Sequence, residues 1–430
     1  MRQSSVYCIK YLISILNMSN TLTLVKKNSF YQDIVLKLMS KMDKGNLHIT
    51  LSNGEQLVLG TGEGKISANM TVNDDEFYKR VILFGDIGFG EAYVDGLWDT
   101  DNITNVIKWV LLNIENAPSV SGSNSQTLAL NLLKWFNKLS HFKRANTVEG
   151  SRKNISEHYD LNNDFFASFL DPTMTYSAAY FYKDGISLQE AQIAKYDRLC
   201  RQLNLKATDH VLEIGSGWGG NAIYMAKTYG CRVTSLTISE EQHKMAVERV
   251  EAEGLSDRVS ILIKDYRQME GQFDKIVSVE MLEAVGHNYM EVYFKKVNDL
   301  LKKNGILALQ VITSPDSRYD SLRKGVDWIQ KHIFPGSLLP SVGAINSAVN
   351  RTSDLTMVDL KNIGMDYATT LKLWFDAFNA NLPKVKSLGF DDRFIRKWNY
   401  YLCYCEAAFA MRNINTMQLV YVRPNNTSRG

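Results

Sequence analysis

The run VLEIGSGWGG, Val211 to Gly220, sets acidic Glu213 at the end of an apolar stretch and follows it with Gly215, Gly217, Gly219 and Gly220. A branched apolar run that breaks into glycines reads as a buried parallel strand meeting a loop whose backbone a ligand can approach. Its surroundings limit what that ligand can be. No Lys follows the glycines, as a phosphate loop requires. A dinucleotide turn spaces its glycines as G-x-G-x-x-G and keeps an acid about twenty residues further on. Here the acid stands before the turn, where it suits a cation or a ribose better than a pyrophosphate.

Further polar residues follow at matching places. Thr237 and Gln242 lie in LTISEEQ, and Asp265 lies in KDYRQM. Thr237 and Gln242 can hydrogen-bond a ribose, Asp265 can accept from an adenine amine, and Glu213 with the glycine backbone can face an amino-acid group. Taken in this order the set suits S-adenosylmethionine and predicts a class I, Rossmann-like methyltransferase. Taken singly the residues say less: Thr237 is a turn residue, Asp265 a strand-end cap, and glycine turns recur in many nucleotide folds.

The elements that must carry these residues alternate from Val211 onward. VLEIG, RVTSLTI, RVSILIKDY (ending at Asp265), FDKIVSVEML (ending near Glu283) and GILALQVITS read as strands. A helix through NAIYMAKTYG closes at Gly230, and another is capped by Ser239. That pattern predicts a doubly wound α/β sheet, whose ligands gather at the carboxyl ends of the strands. Upstream, LHITLSNGEQLVL reads as a hairpin, and a helical run ends at Leu112. Ala117 to Thr127 is Ser-, Gly- and Asn-rich and reads as a linker. This divides the chain into a smaller α+β N-terminal domain (18–116), the linker (117–127) and the methyltransferase domain (128–430). Leu128, Leu132, Trp135, Leu139 and Phe142 share one helical face, with Lys134, Lys138, His141, Lys143 and Arg144 around it. The segment is either a solvated helix packed on a neighbour or an interfacial helix on anionic lipid.

Composition fits this reading. A chain of 430 residues exceeds one ordinary core, and 45% hydrophobic residues supply the interior of a globular protein. A net charge of +3 argues against a dedicated nucleic-acid binder. The cysteines (Cys8, Cys200, Cys231, Cys403, Cys405) form no metal pattern, and their odd number suits a reducing cytosol. YLISIL, Tyr11 to Leu16, is too short to span a bilayer and lacks a following cleavage site, with Met18 as an alternative start.

The chain resembles the cyclopropane-fatty-acyl-phospholipid synthases and the related mycolic-acid cyclopropane synthases from about Phe30 to Tyr421. GFGEAYVDGLWD, EHYDLNNDFFASFLDPTMTYSAAYF, VLEIGSGWGG, LTISEEQ, KDYRQM, FDKIVSVEMLEAVGHNYM, IFPGSLLPS, GMDYATTLKLW and YYLCYCEAAF carry the resemblance. It implies methylene transfer from S-adenosylmethionine to the cis double bond of acyl chains in membrane phospholipids. It also implies a cytoplasmic enzyme, peripheral at the inner face of the membrane, whose N-terminal domain helps it use lipid already in place. Dimers are common among relatives. On the family's pattern Tyr176 and Ser177 close over the cofactor methionine, Gly215, Gly217, Trp218 and Gly219 form its loop, and Tyr266 stands beside Asp265.

The chemistry sets demands on the pocket. An alkene is a poor nucleophile, and its attack on a sulfonium methyl leaves a carbocation that must lose a proton for the ring to close. Water must be excluded and a base supplied, and negative charge nearby stabilises the cation. In relatives the base is a bound bicarbonate, which the resemblance places on Glu283, Tyr367 and the backbone at Ala178 and Ile312. Two departures bear on it. YSAAY puts Ala178 where many relatives have Cys, and LALQVI puts Gln310 at the family's ion-holding His. Gln310 offers an amide donor but no positive charge. Cys405 matches a cysteine considered catalytic in the family, though a neutral Cys on an apolar helical face is more often core packing. His287 stands one turn after Glu283 and is a candidate to orient it. YDLNNDFF, Tyr159 to Phe166, is either core or an active-site wall. Other readings of the same fold are a methylene- or methyl-branching acyl methyltransferase, a small-molecule methyltransferase, and a noncatalytic lipid-binding relative.

Overall fold

In a computed structural model, residues 30–114 and 162–426 are described. The expected linker, the basic-apolar helix Leu128 to Arg144, YLISIL, Met18 and Tyr159 lie outside the described residues. The N-terminal part opens with the helix Phe30–Met39 and continues into a sheet of β1 (Lys44–Thr50), β2 (Gln56–Leu59), β3 (Glu63–Val72) and β4 (Trp98–Asp99), ordered β2-β1-β3-β4. The expected hairpin is there, with Leu47 opposite Leu59 and Ile49 opposite Leu57. The helix Glu76–Val94 is broken at Gly85, whose φ of 57° and ψ of −130° no residue with a Cβ adopts readily. The helix Ile103–Leu112 ends the run where expected.

This part does not stand apart from the rest. Its Trp98, Trp109 and Phe77 belong to the same buried cluster as Trp374, Trp398 and Tyr400 of the helices Gly364–Ala380 and Asp392–Ala410. Gly90 lies so close to Trp328 and Tyr400 that an added Cβ would fall 2.5 Å and 2.7 Å from their rings. Arg396 donates to the carbonyls of Tyr93 at 2.8 Å and Trp98 at 3.0 Å, and its guanidinium sits 4.1 Å from the Tyr93 ring centre. A shared apolar interior, tied at its edge by Arg396, joins the two sequence-defined parts.

The second sheet has seven strands: β5 (His210–Ile214), β6 (Arg232–Thr237), β7 (Val259–Ile263), β8 (Phe273–Val279), β9 (Leu301–Thr313), β10 (Thr356–Asn362) and β11 (Asn415–Val422), ordered β10-β11-β9-β8-β5-β6-β7. β5 to β9 are the five expected strands and run parallel. β11 pairs antiparallel with both β9 and β10. The near-continuous apolar runs of the inner strands follow from burial on both faces, as in Gly305–Val311 of β9.

Two strand ends differ from expectation. β7 stops at Ile263, because Asp265 turns the chain and its side chain accepts from Arg267 N at 2.9 Å. β8 stops at Val279 rather than near Glu283, because Glu280 takes a left-handed φ of 50° and Leu282–Ala284 winds into a single 3-10 turn. Among the described residues, no helix is long and apolar enough to cross a membrane.

Candidate active site

The carboxyl ends of β5, β6, β7 and β8 open on one cavity of about 630 Å³. Glu213, Gly215, Gly217, Trp218, Thr237, Gln242, Asp265 and Tyr266 line it, with Tyr176 and Ser177 from the segment before the helix Leu188–Gln202. Gly215 carries a φ of +100° at the turn out of β5. Gly219 does not line the cavity: an added Cβ would lie 3.2 Å from the Ala246 Cβ, so its bareness serves the packing of the helix Gly220–Tyr229 on Glu240–Ala252.

Most of these polar groups are fixed by one another before any ligand arrives. Glu213 accepts from Asn221 Nδ2 at 2.7 Å and Ser235 Oγ at 2.5 Å, and burial pushes its carboxyl up to about 7. These two bonds brace Glu213 against the helix Gly220–Tyr229 and β6 at the cavity wall. Thr237 donates to Gln242 Oε1 at 2.9 Å. Asp265 is gripped by Arg267, at 2.8 Å from Nε and 2.6 Å from Nη2. Trp218 donates to Asn163 Oδ1 at 2.7 Å and leans on Phe166. Phe165 and Phe166 are core, and with Asn163 they form the backing of the cavity wall. Tyr176 pairs its hydroxyl with that of Tyr401 at 2.8 Å. Lys195, which the sequence reading passed over, is fully buried and donates to Ser177 Oγ at 2.7 Å. Burial pushes its ammonium down to about 7, against the pull of Glu280, Asp171 and Glu213.

The groups assigned to a bicarbonate hold a carboxylate of the chain itself. Ala178 N donates to Glu280 Oε1 at 2.9 Å, Gln310 Nε2 donates to the same oxygen at 2.8 Å, and the Tyr367 hydroxyl donates to Glu280 as well. The second hydrogen of Gln310 goes to the Ala178 carbonyl at 3.1 Å. Ile312 N donates to Glu283 Oε1 at 2.5 Å. An amide N–H has one hydrogen and a side-chain amide two, so these donors are spent. The bicarbonate expectation is corrected accordingly: the residues do not fit the ion. Gln310 is not in the cavity wall but behind Glu280, which is. EMLE contains the missed residue, three positions before Glu283. The E-x-x-E spacing beside a missing His was the available signal.

Glu283 also lines the cavity, and its Oε2 has no protein partner. Burial, then the neighbouring Glu280, pushes its carboxyl up to about 8. Burial raises Glu280 too, opposed by the Gln310 amide, the Lys195 charge and the Ala178 N–H. Cys405 lines the cavity, but burial drives its thiol far above the usual range and keeps it protonated. His287 does not orient Glu283; its Nδ1 pairs with the Tyr319 hydroxyl at 2.6 Å. Away from the strand ends the cavity continues between Tyr401 and Phe409 on one side and Val35, Met39, Val81, Ile107 and Val110 on the other. Asp86 stands on that path, its carboxyl pushed up to about 7 by burial and by Asp327.

Comparison with known proteins bears on this arrangement. Residues 146–419 match the family model described as mycolic acid cyclopropane synthetase. The chain is 42% identical over 362 residues to the cyclopropane-fatty-acyl-phospholipid synthase of Escherichia coli K12, covering 84% of this chain and 89% of that one. It is 36% identical over 389 residues to the tuberculostearic acid methyltransferase UfaA1 of Mycobacterium tuberculosis, covering 88% of each. The crystal structure of the mycolic acid cyclopropane synthase CmaA1 complexed with SAH and CTAB matches with a TM-score of 0.58 at 30% identity, over 63% of this chain and 97% of that chain.

Proposed function

The chain belongs to the mycolic acid cyclopropane synthetase family, and from that premise we propose that it converts the cis double bonds of phospholipid acyl chains to cyclopropanes, working as a peripheral protein on the membrane surface. S-adenosylmethionine, when bound, supplies an electrophilic methyl group. The cradle of Gly215, Gly217, Trp218, Thr237, Gln242 and Asp265 fits that group, because a cavity with backbone access at Gly215 meets hydroxyl, amide and carboxylate side chains in the order its parts require.

The observation that carries the substrate class is the continuity of the cavity. One end is the polar cradle; the other is an apolar passage walled by the helices Phe30–Met39, Glu76–Val94, Ile103–Leu112 and Asp392–Ala410. A small polar metabolite would leave that passage without a complement, whereas an acyl chain fills it and keeps water from the reacting carbons. The N-terminal part contributes wall residues directly, which gives it a role in substrate binding as well as in stability. Aromatic rings of Tyr176, Tyr367 and Tyr401 face the same space and can stabilise positive charge in the chain.

The likeness to a tuberculostearic acid methyltransferase over 88% of the chain favours one second reading, a methyl-branched product. Expression in a host lacking such enzymes separates the two. Membrane lipids gaining one CH2 per double bond, with the upfield proton resonances of a cyclopropane, support ring formation. A saturated branched chain, carrying two further hydrogens, supports the second reading. Unchanged lipids beside a protein that binds the cofactor would remove both. Co-sedimentation with phospholipid vesicles tests the surface association separately.

A further inference from the structure

We propose that Glu280 is the proton acceptor of ring closure, a base carried by the chain itself in the position where relatives would place an ion. This rests on the acyl-chain reading above. Glu280 lines the cavity, its Oε1 collects the Ala178 N–H and the Gln310 amide, and the Tyr367 hydroxyl acts on the same carboxyl. Those groups come from three separate parts of the chain and converge on one carboxyl. Burial raises this carboxyl, and the neutral donors with the Lys195 charge oppose that rise by favouring the ionised form that can accept a proton.

The backbone supports the assignment independently. Glu280 holds a φ of +50°, a left-handed conformation that a residue with a long side chain takes at a cost. Strain of this kind persists where the surroundings over-determine it, and it gathers at functional sites. Here the strained turn at the end of β8 is what points the carboxylate into the cavity. Lys195 and Tyr367 favour the ionised form of Glu280, and Glu283, a like carboxyl, opposes it.

The step balances without a further reactant. Once the transferred carbon is bonded to one alkene carbon, the other alkene carbon is electron-deficient. Glu280 takes one proton from the transferred carbon, and the C–H electron pair closes the third side of the ring. The cation and the carboxylate are thereby converted to a neutral ring and a neutral carboxylic acid, which returns its proton to water when the product leaves. A proton beside a carbocation is so acidic that a carboxylate is an ample base.

The test compares the parent with Glu280→Gly and Glu280→Gln in carbonate-free buffer. Glycine accepts the local φ without strain, so Glu280→Gly should fold and bind S-adenosylhomocysteine as the parent does, checked by calorimetry. Parent turnover on monounsaturated vesicles should ignore added bicarbonate. Both variants should lose about a hundredfold or more, and bicarbonate should restore at least about tenfold to Glu280→Gly alone, since only there are the three donors vacated. Isotopically labelled bicarbonate should bind Glu280→Gly, and not the parent, by NMR line width with no lipid present. Parent turnover that rises with bicarbonate, labelled ion binding to the parent, or full activity in Glu280→Gln would overturn the proposal. Absence of any lipid turnover by the parent would fault the acyl-chain reading instead, and the binding measurement would still report who occupies the anion position.

Discussion

Gln310 Nε2 lies 2.8 Å from Glu280 Oε1, and the orientation that puts nitrogen there is imposed from the far edge of the sheet. Asp359 on β10 pairs with Arg198 at 3.1 Å, Arg198 donates to Gln418 Oε1 on β11 at 2.5 Å, and Gln418 Nε2 donates to Gln310 Oε1 at 2.8 Å. Gln418 and Gln310 are register partners of β11 and β9. An amide that accepts at its oxygen must present hydrogens at its nitrogen, so the charge of Arg198 fixes a donor toward Glu280 two strands away.

Gln310→Leu should therefore shift the pH profile of turnover. The amide donor favours the ionised form of Glu280, as do Lys195, Ala178 N and Tyr367, whereas burial and the nearby Glu283 oppose it. Removing a donor raises the pKa, and a base works only above it. The acid limb of kcat should move upward by about one pH unit or more, the scale of a hydrogen bond to a charged group. KM for the cofactor should hold. An unmoved acid limb would separate Gln310 from the base.

Glu283→Gln should change stability more than chemistry. Its carboxyl rises from 4.5 to about 8 in the folded protein. A raised carboxyl adds stability below the unfolded value, and that contribution is lost as pH climbs through the folded one. The variant, neutral throughout, escapes the loss. Between pH 5 and pH 8 its melting temperature should gain on the parent by roughly 2 °C, for about 2 kcal/mol in a chain of this length. Near neutral pH Glu283 is mostly protonated already, so turnover should fall by less than about tenfold. A loss as deep as that of Glu280→Gln would make Glu283 the base.

Gly215→Ala should weaken cofactor binding while Gly217→Ala should do so less. Space is not the obstacle: an added Cβ at Gly215 meets only Met281 at 3.4 Å, and at Gly217 nothing within 4 Å. Conformation decides, because φ of +100° is closed to residues with a Cβ and φ of +49° is merely costly. The loop at Gly215 must move, and calorimetry should show affinity down by about tenfold or more there, against a few-fold at Gly217. Equal effects would mean the loop adapts.

The sequence reading reached the cradle because parallel strands put their polar ends at regular intervals along the chain. Glu213, Thr237 and Asp265 each follow an apolar run, and local spacing carried the inference. Glu280 did not yield to the same logic. Its partners Ala178 and Gln310 lie 102 and 30 residues away, and only the assembled sheet brings them to one oxygen. The short turn after β8 also has no periodicity of its own to mark where the strand stops. The division into two domains was drawn from a composition shift, which records a change of local pattern but not that Trp98 and Trp398 share one interior. Gly219 misled for a related reason, since a glycine kept for helix packing looks the same in sequence as one kept for a ligand.

Val110 tests the passage beyond the cradle. It lies on the helix Ile103–Leu112, in the apolar reach of the cavity and on the N-terminal part of the chain, far from the glycine loop in sequence. Val110→Trp should fill that reach with an indole and leave the cradle untouched. If acyl chains run past the reacting centre into this space, long chains should suffer most: kcat/KM for a long monounsaturated chain should fall by about tenfold or more, the value of a few methylenes denied burial at about 0.8 kcal/mol each. A short-chain analogue that ends before the helix should be used nearly as well as by the parent. Cofactor affinity by calorimetry should be unchanged, which separates a blocked passage from a damaged fold. Equal losses for short and long chains, with the cofactor still bound, would place the acyl tail elsewhere and return the N-terminal helices to a purely structural role.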